Sequence, residues 1–516
     1  MISKPNILFI VSDQHNAKVT GYNNHPDVKT PHLDRMAEEG VRFNNCVTQS
    51  PICTPSRVSF LSGQYCHNHG YYGLHGQNPS GLPNIFTHLR AYGYKTAAIG
   101  KIHCPEYWVE DACDIFEDST GTSVGGRSKK YTQFLKERGK LELEDHGDLP
   151  EFGDKGRQSV EGRPSPLTFE ESQEGWCANE AVNFMKKMSE QSNPFLLHVS
   201  FPRPHQCTTP SQEFWDLYET NRLTLPPNTD YDMEEALKSP HLIQTSEDWR
   251  TRDWALFEPR TFEAARLRKQ HGYLGAVSQV DAAVGVLLNF LRESGLDKNT
   301  IVIYTSDHGD YATEHNVMEK APGICSDAIT RVPHIWWSPE RFKSGHISDE
   351  VIELIDVSQT ICSLAGLSTL ETSDGKDISP LLQGDEQEIH QIGVTEFVWG
   401  KSVRKANFRL VYYPREMFPD EYPNGFGELY DLDADPWEMK NLYFDDRYGH
   451  IVQQLQSELL NWLITSTRPG TVHGVNSGPF PFSESPQTMV RYKTVINMDG
   501  KINPDLIQQS ATKNYL

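Results

Sequence analysis

A chain of 516 residues with 70 acidic and 48 basic side chains carries a formal net charge of −22, which argues against general nucleic-acid binding and against docking on anionic membranes. Hydrophobic residues make up 37% of the chain and aromatics 10%, enough for folded cores, and the length calls for roughly two to four units of ordinary domain size or one large α/β domain with an appendage. Nine scattered cysteines, an odd count without a Cys-x-x-Cys pair, give neither a disulfide pattern nor zinc-type spacing and fit a reducing compartment.

Asn6 to Ser12 (NILFIVS) is a continuous apolar run of strand length, as in a parallel sheet covered on both faces. It ends in Asp13-Gln14-His15. Open α/β sheets gather ligand-binding groups at such strand ends, although a helix N-cap is the commoner fate of an Asp there. The run is too short to span a bilayer and lacks a small-residue cleavage site, and no other stretch reaches membrane length, so a cytoplasmic protein is expected. Thr30-Pro31 opens a short helix, His32 to Glu39, closed by Gly40, and Val41 to Val47 is extended.

Cys53-Thr54-Pro55-Ser56-Arg57 comes next. Thr54 is a good N-cap and Pro55 suits the first helical position. Cys53 is then expected at the mouth of a helix N-terminus, where backbone N–H groups and the dipole favour anions and depress a thiol pKa. Arg57, four residues on, shares its face. A small buried cysteine before an ordinary helix is the bland alternative, and the rest of the chain decides between them. Pro83 to Tyr92 is a helix stopped by Gly93. Tyr94 to Ile99 is a second strand that runs into Gly100-Lys101-Ile102-His103, and alternation aims Lys101 and His103 to one side.

Residues 117–165 are polar and weakly periodic, as in a surface insertion. Gly175 to Met188 is a helix, Phe195 to Phe201 a third buried strand ending in Pro202-Arg203-Pro204-His205, and 206–262 an irregular stretch. A long helical pattern, Phe262 to Glu293, ends at Gly295, and a fourth buried strand, Asn299 to Ser306, ends in Asp307-His308-Gly309-Asp310. Lys320 follows in a loop, then a strand from Arg331 to Trp337 and a helix from Asp356 to Ala365. The βαβα alternation predicts a large mixed, mostly parallel sheet sandwiched by helices over 1–390. Beyond it, short strands (Gly393 to Phe397, Phe408 to Tyr413, Glu428 to Leu432) and a helix (Ile451 to Thr465) predict a smaller C-terminal α+β subdomain, 391–467. Residues 468–516, rich in Pro, Ser, Gly and Asn, form an extension that is either disordered or an oligomerisation arm.

Four predicted strands thus end in polar groups on one rim of one sheet: Asp13-Gln14, Lys101 with His103, His205, and Asp307-His308. Together with Cys53 and Arg57 they make a metal-plus-anion site. Asp13, Gln14, Asp307 and His308 supply mostly hard oxygen donors with one imidazole, which suits Ca²⁺, Mg²⁺ or Mn²⁺ better than Zn²⁺. Arg57, Lys101 and Lys320 would neutralise a tetrahedral oxyanion, and His103 and His205 are candidates for proton transfer. His15, His67, His69 and His75 crowd the same stretch of sequence and are expected at structural or rim positions. Trp399 and Tyr107 are expected either in a pocket wall or in the core.

These pieces, in this order, resemble the type I sulfatase family of the alkaline-phosphatase-like superfamily: NILFIVSDQ, C-T-P-S-R followed by L-S-G, G-K-I-H, F-P-R-P-H, S-D-H-G-D and E-L-Y-D-L-D-A-D-P-W-E-M-K-N-L, spanning Asn6 to Leu442. The resemblance implies hydrolysis of a sulfate ester, sugar or small-molecule, to alcohol and inorganic sulfate. It implies that a formylglycine-generating enzyme, which recognises Pro55 and Arg57, oxidises Cys53 to formylglycine. One hydroxyl of the hydrated aldehyde, activated at a divalent metal that residue 53 also ligates, would attack sulfur. His205 or Lys320 would protonate the departing alkoxide, and His103 would take the proton that releases sulfate and restores the aldehyde.

Many family members carry Asp-Asp where this chain has Asp13-Gln14, and Asp-Asn where it has Asp307-His308. The substitution lowers ligand charge and moves the expected metal from calcium alone towards calcium, with manganese or magnesium as alternatives. The pattern resembles the subgroup of choline sulfatases and phosphonate monoester hydrolases, which implies a cytoplasmic homo-oligomer and leaves phosphonate monoester or phosphodiester hydrolysis as the alternative activity.

Overall fold

The computed structural model describes residues 4–468 apart from 75–80, 106, 121–128, 144–159, 253–257, 322 and 398. The expected arm at 468–516 therefore lies outside the described residues except for Arg468, as do His75 and much of the expected insertion at 117–165.

The main sheet has nine strands: β1 Asn6–Asp13, β2 Val41–Val47, β3 Lys95–Gly100, β4 Ile115–Asp118, β5 Phe195–Pro204, β6 Thr300–Ser306, β7 Arg331–Val332, β8 His334–Trp337 and β9 His346–Glu353. Their order is β4-β3-β5-β1-β6-β8-β2-β7, with β9 also paired to β2. The run β4-β3-β5-β1-β6 is parallel. Antiparallel pairs enter only at β8 and β7. In the central register Leu8 lies opposite Leu197 on one side and Val302 on the other.

Period-two alternation along β1 builds a core on each face. Ile7, Phe9 and Val11 join Phe60, Phe86 and Ile361, from the helices Cys53–Ser62, Ile85–Ala91 and Asp356–Leu364. Leu8 and Ile10 join Met36, Trp176 and Leu287, from the helices Pro31–Glu39, Gln173–Ser189 and Phe262–Ser294. Helix Phe262–Ser294 is long and apolar enough to cross a membrane by length and composition, contrary to the sequence expectation. Within this fold 78% of its apolar window is buried, so its apolar surface faces protein.

The smaller sheet is antiparallel: β10 Gly393–Phe397, β11 Gly400–Lys405, β12 Phe408–Tyr412 and β13 Gly427–Asp431, paired in chain order. Helix Gly449–Ser466 covers it, with Val452, Leu455, Leu459 and Trp462 against Val394, Val403, Leu410 and Leu429.

Several elements depart from expectation. The strand expected from Arg331 to Trp337 is broken at Pro333, which has no N–H for the ladder. Strands β4, β9 and β11 and the helix Pro240–Arg250 are additional. That helix is capped by Ser239, whose side chain accepts from Leu242 N, and Pro240 sits in its first turn.

Candidate active site

The carboxyl ends of β1, β3, β5 and β6 lie side by side, so the polar residues that follow them meet on one rim. Two glycines let backbones close in there. Gly100 has φ +108 and a Cβ on it would fall 1.9 Å from Ser200 O, while one on Gly309 would fall 1.8 Å from Ala328 O. Helix Cys53–Ser62 points its N-terminus at this rim. The helix starts at Cys53 with Ile52 as N-cap, two residues ahead of the expected start at Pro55. Thr54 does not cap it, because its hydroxyl donates to Leu74 O and His103 O, both at 3.0 Å. Pro55 remains in the first turn, where a missing N–H costs nothing.

One cluster of four donors forms here among the described His, Cys, Asp and Glu residues: Asp13, Cys53, Asp307 and His308, with ligand atoms all within 4.8 Å of one another and all buried. Cys53 Sγ lies 3.2 Å from His308 Nε2 and 3.8 Å from Asp13 Oδ1. His308 Nδ1 is 2.8 Å from Gly309 O. That bond keeps a proton on Nδ1 and turns Nε2 towards the cluster, where Asp307 and Cys53 favour the charged ring against burial and a neutral ring would offer its Nε2 lone pair to a cation. Asp307 Oδ1 accepts from Gln14 N (3.0 Å) and His308 N (2.9 Å). Thr48 and Ser56 hydroxyls, each at 2.6 Å, hold the Asp307 carbonyl.

Arg57 is fully buried and turned to protein. Its Nε donates to Asp307 Oδ2 and its Nη2 to Asp13 Oδ2, both at 2.9 Å, and Nη1 donates to Lys101 O (2.7 Å) and Ser200 Oγ (2.9 Å). The guanidinium expected to meet a substrate oxyanion instead clamps two carboxylates. Lys101 Nζ adds a contact to Asp13 Oδ2 at 2.8 Å. Asp13 keeps Oδ1 directed at residue 53.

Across the cluster, Lys320 Nζ contacts Gln14 Oε1 (2.6 Å) and His205 Nε2 (2.7 Å). His205 Nδ1 is bonded to Gln206 O at 2.7 Å. Gln14 thus spends its amide oxygen on Lys320, and its amide nitrogen reaches Gln206 and Asp310. His103 and His205 both interact with the Cys53 thiol, which favours their charged forms against burial. His103 does so without strand alternation, since the chain has left β3 at Gly100 and His103 itself has φ +45. His15 is structural, bonded to Tyr304 Oη and Val19 O, and His67 and His69 bond to Glu396 and Ser59.

The electrostatics follow from this crowding. Burial and Asp13 oppose ionisation of the Cys53 thiol, yet Lys101, Lys320 and His308 pull it well below the ordinary thiol range. Burial likewise works against the Asp13 carboxylate, but Lys101, His205 and Arg57 hold it well below its usual range. Burial and the Asp13 charge push Asp307 up to about 6. Burial, with Lys101 and Lys320, lowers His205 to about 4. His103 also falls, chiefly by burial. A divalent cation fits the cluster: two carboxylates, an imidazole lone pair and residue 53 converge, and the carboxylate charge that raises Asp307 is what a cation would relieve.

Three participants escape the sequence reading. Ser200, inside β5, is one anchor of Arg57, and Tyr273 and Lys269 back Gln14 from the helix Phe262–Ser294. Nothing in a serine within an apolar strand or in a helical tyrosine or lysine marks such a role.

The family model described as Sulfatase matches residues 5–367, and that described as N-sulphoglucosamine sulphohydrolase, C-terminal, matches residues 314–464. An arylsulfatase of Clostridium perfringens is 28% identical over 475 residues, covering 89% of this chain and 94% of that protein. A choline-sulfatase of Rhizobium meliloti is 27% identical over 449 residues, covering 85% and 82%. Among solved structures, a phosphonate monoester hydrolase of Agrobacterium radiobacter superposes with a TM-score of 0.71 at 20% identity, covering 93% of this chain and all of that one, 100%. A protein solved with its substrate D-glucosamine-2-N,6-O-disulfate superposes with a TM-score of 0.69 at 20% identity, covering 90% and 98%.

Proposed function

Because the chain belongs to the sulfatase family, we propose that it hydrolyses a sulfate ester through a formylglycine formed from Cys53, beside a divalent cation held by Asp13, Asp307, His308 and residue 53. The observation that carries this reading is the placement of Cys53: a helix N-terminus presents it to that donor cluster, with Lys101, Lys320, His103 and His205 around it. Sulfuric ester hydrolysis is the activity of the family.

Formylglycine, once hydrated, supplies a geminal diol whose second hydroxyl allows sulfate to leave by C–O cleavage within the side chain, so that no water has to attack sulfur. The cation, when bound, supplies Lewis-acid stabilisation and a lowered hydroxyl pKa. The remaining work belongs to side chains. Lys101, fixed on Asp13, and Lys320 place two positive charges beside residue 53, where charge on the non-bridging oxygens develops. His205 uses its Nδ1 proton on Gln206 O and presents an unprotonated Nε2 to Lys320. Lys320 therefore holds the proton for the leaving oxygen, and His205 orients it. His103, with a buried Nδ1 lacking a hydrogen-bond partner, is placed to take the proton from residue 53 as sulfate departs.

Two results are expected here. Lys320→Met should reduce kcat by about 10²–10³-fold for alkyl sulfates, whose alkoxides need a proton, but by much less for a nitrophenyl sulfate. An equal loss on both would remove Lys320 from proton donation. Chelator-treated protein should lose activity and melt lower, with Ca²⁺ or Mn²⁺ restoring both, and Asp307→Asn should abolish the metal-dependent rise in Tm. A panel of aryl sulfate, phenylphosphonate monoester and phosphodiester tests the substrate class. Far faster turnover of either phosphorus ester than of any sulfate would overturn the sulfate assignment.

A further inference from the structure

Gln14 adopts φ +67, a left-handed backbone that a glutamine occupies only when its surroundings dictate it. Here they do. Its N–H goes to Asp307 Oδ1 at 3.0 Å, and its carbonyl accepts from Tyr273 Oη at 2.7 Å. Its amide nitrogen donates to Gln206 Oε1 at 3.3 Å and to Asp310 Oδ2, and its amide oxygen accepts from Lys320 Nζ at 2.6 Å. An amide can sit either way round in a pocket, since its two ends have nearly the same shape. The choice is made by Asp310, an acceptor-only carboxylate whose other oxygen accepts from Ala312 N at 2.5 Å. Facing Asp310, the amide must present its NH₂, and the oxygen is then aimed at Lys320, a donor-only ammonium.

Asp310 is fully buried, and so is Lys269, whose Nζ stands 3.6 Å from Asp310 Oδ2. Lys269 Nζ makes no hydrogen bond of its own; it also faces the Tyr273 ring, 5.1 Å from the centroid, and acts electrostatically on the Glu319 carboxyl. A buried ammonium held by one carboxylate at ion-pair distance contributes charge compensation more than hydrogen bonding. Lys269 and Tyr273 are four residues apart on helix Phe262–Ser294, so one helix face grips Gln14 twice: Tyr273 at the backbone, and Lys269 through Asp310 at the side chain.

We propose that Asp310 and Lys269 are positioning residues for the leaving-group proton donor: they fix the orientation of the Gln14 amide, and that orientation aims Lys320 Nζ. The line of contact runs Lys269, Asp310, Gln14, Lys320, His205, from the buried helix to the reacting centre. It rests on the role of Lys320 proposed above. Without the Asp310 charge the amide can turn, and its NH₂ would meet the Lys320 ammonium, donor against donor. Lys320 would then leave its place while residue 53 and the cation ligands stayed in theirs.

The test uses metal-loaded, matured full-length protein and a series of aryl and alkyl sulfates graded by leaving-group basicity. Asp310→Asn and Lys269→Met are each expected to lower kcat by about tenfold to a hundredfold on the poorest leaving groups, with little change on nitrophenyl sulfate and little change in KM. Asp310→Asn combined with Lys320→Met should be no worse than Lys320→Met alone, since both act through one proton. Losses that multiply in the double variant, or that are uniform along the series, overturn the inference. If Asp310→Asn does not accumulate as folded protein, Lys269→Met carries the same comparison, and a crystal structure of it with Lys320 still seated on the Gln14 oxygen and unchanged leaving-group dependence also overturns it. Wild-type turnover in the same assays tests the underlying reading separately.

Discussion

Cys53→Ala is expected to lower turnover by on the order of 10⁵-fold or more, because covalent nucleophiles contribute on that scale and nothing nearby can replace one. The neighbours make substitution by another group implausible on geometry. Asp13 and Asp307 are held by Arg57, Lys320 and His205 are bonded to each other, and the remaining buried thiol close to the site, Cys104, is pushed up to about 12 chiefly by burial. The fold should survive. Residue 53 contributes no capping hydrogen bond to its helix, and its sulfur touches polar atoms rather than the apolar cores, so the loss of one sulfur should cost about 1 kcal/mol or less. The measurement is kcat on an aryl sulfate together with the melting curve. Activity within tenfold of wild type in a folded variant would end the nucleophile assignment.

The same residue offers an independent check through its chemistry. Peptide mass spectrometry of protein made in a host with a formylglycine-generating enzyme should find an aldehyde in place of the thiol at residue 53. A thiol throughout, in protein that still turns over sulfate, would leave the site's geometry intact and require a different nucleophile. The thiol described in the structure is depressed by Lys101, Lys320 and His308 against burial and Asp13. Those charges serve whatever anion forms at that position, sulfur or oxygen, so the low thiol pKa by itself does not distinguish the two.

How much of this is legible in the sequence depends on which physical signal each element leaves. Strands β1, β5 and β6 are buried on both faces, so their apolar residues run unbroken and their ends are marked by sudden polarity. Strands β4, β9 and β11 carry charges through IFED, HISDEVIE and GKSVRK, because part of each faces solvent, and no periodicity separates them from loops. The residues Asp13, Lys101, His205 and Asp307 stand out because each follows such a strand. What each one touches does not. Arg57 bonds partners 44 residues before it and 250 after it, a pairing created by the sheet order and invisible to local spacing. Gln14 likewise looks like one more oxygen donor in line with Asp13, and only the positions of Asp310 and Lys320 show where its two ends point.

Arg57→Ala is expected to damage stability and activity together, and the two can be separated. The guanidinium satisfies four acceptors from four segments, with side-chain exposure of 1% against 0% for both of its carboxylate partners. Its removal would leave Asp13 and Asp307 facing each other in a buried site, with Lys101 on Asp13 as the remaining close lysine ion pair and Lys320 acting from further off. Breaking a buried pair by deleting one partner costs about 3–5 kcal/mol, so metal-free Arg57→Ala should melt well below metal-free wild type. Added cation should recover part of the loss, since it supplies positive charge to the same two carboxylates. Arg57→Lys should rescue little, because one ammonium cannot span Asp13, Asp307, the Lys101 carbonyl and Ser200 with a guanidinium's fork geometry. Activity alone cannot show this, since Arg57 also belongs to the motif through which Cys53 is expected to be converted. Melting of the unconverted, metal-free protein is free of that ambiguity. An unchanged Tm for Arg57→Ala in that state would mean that the clamp on the two carboxylates contributes nothing to holding the rim together, and that the arginine's place is owed to the modification alone.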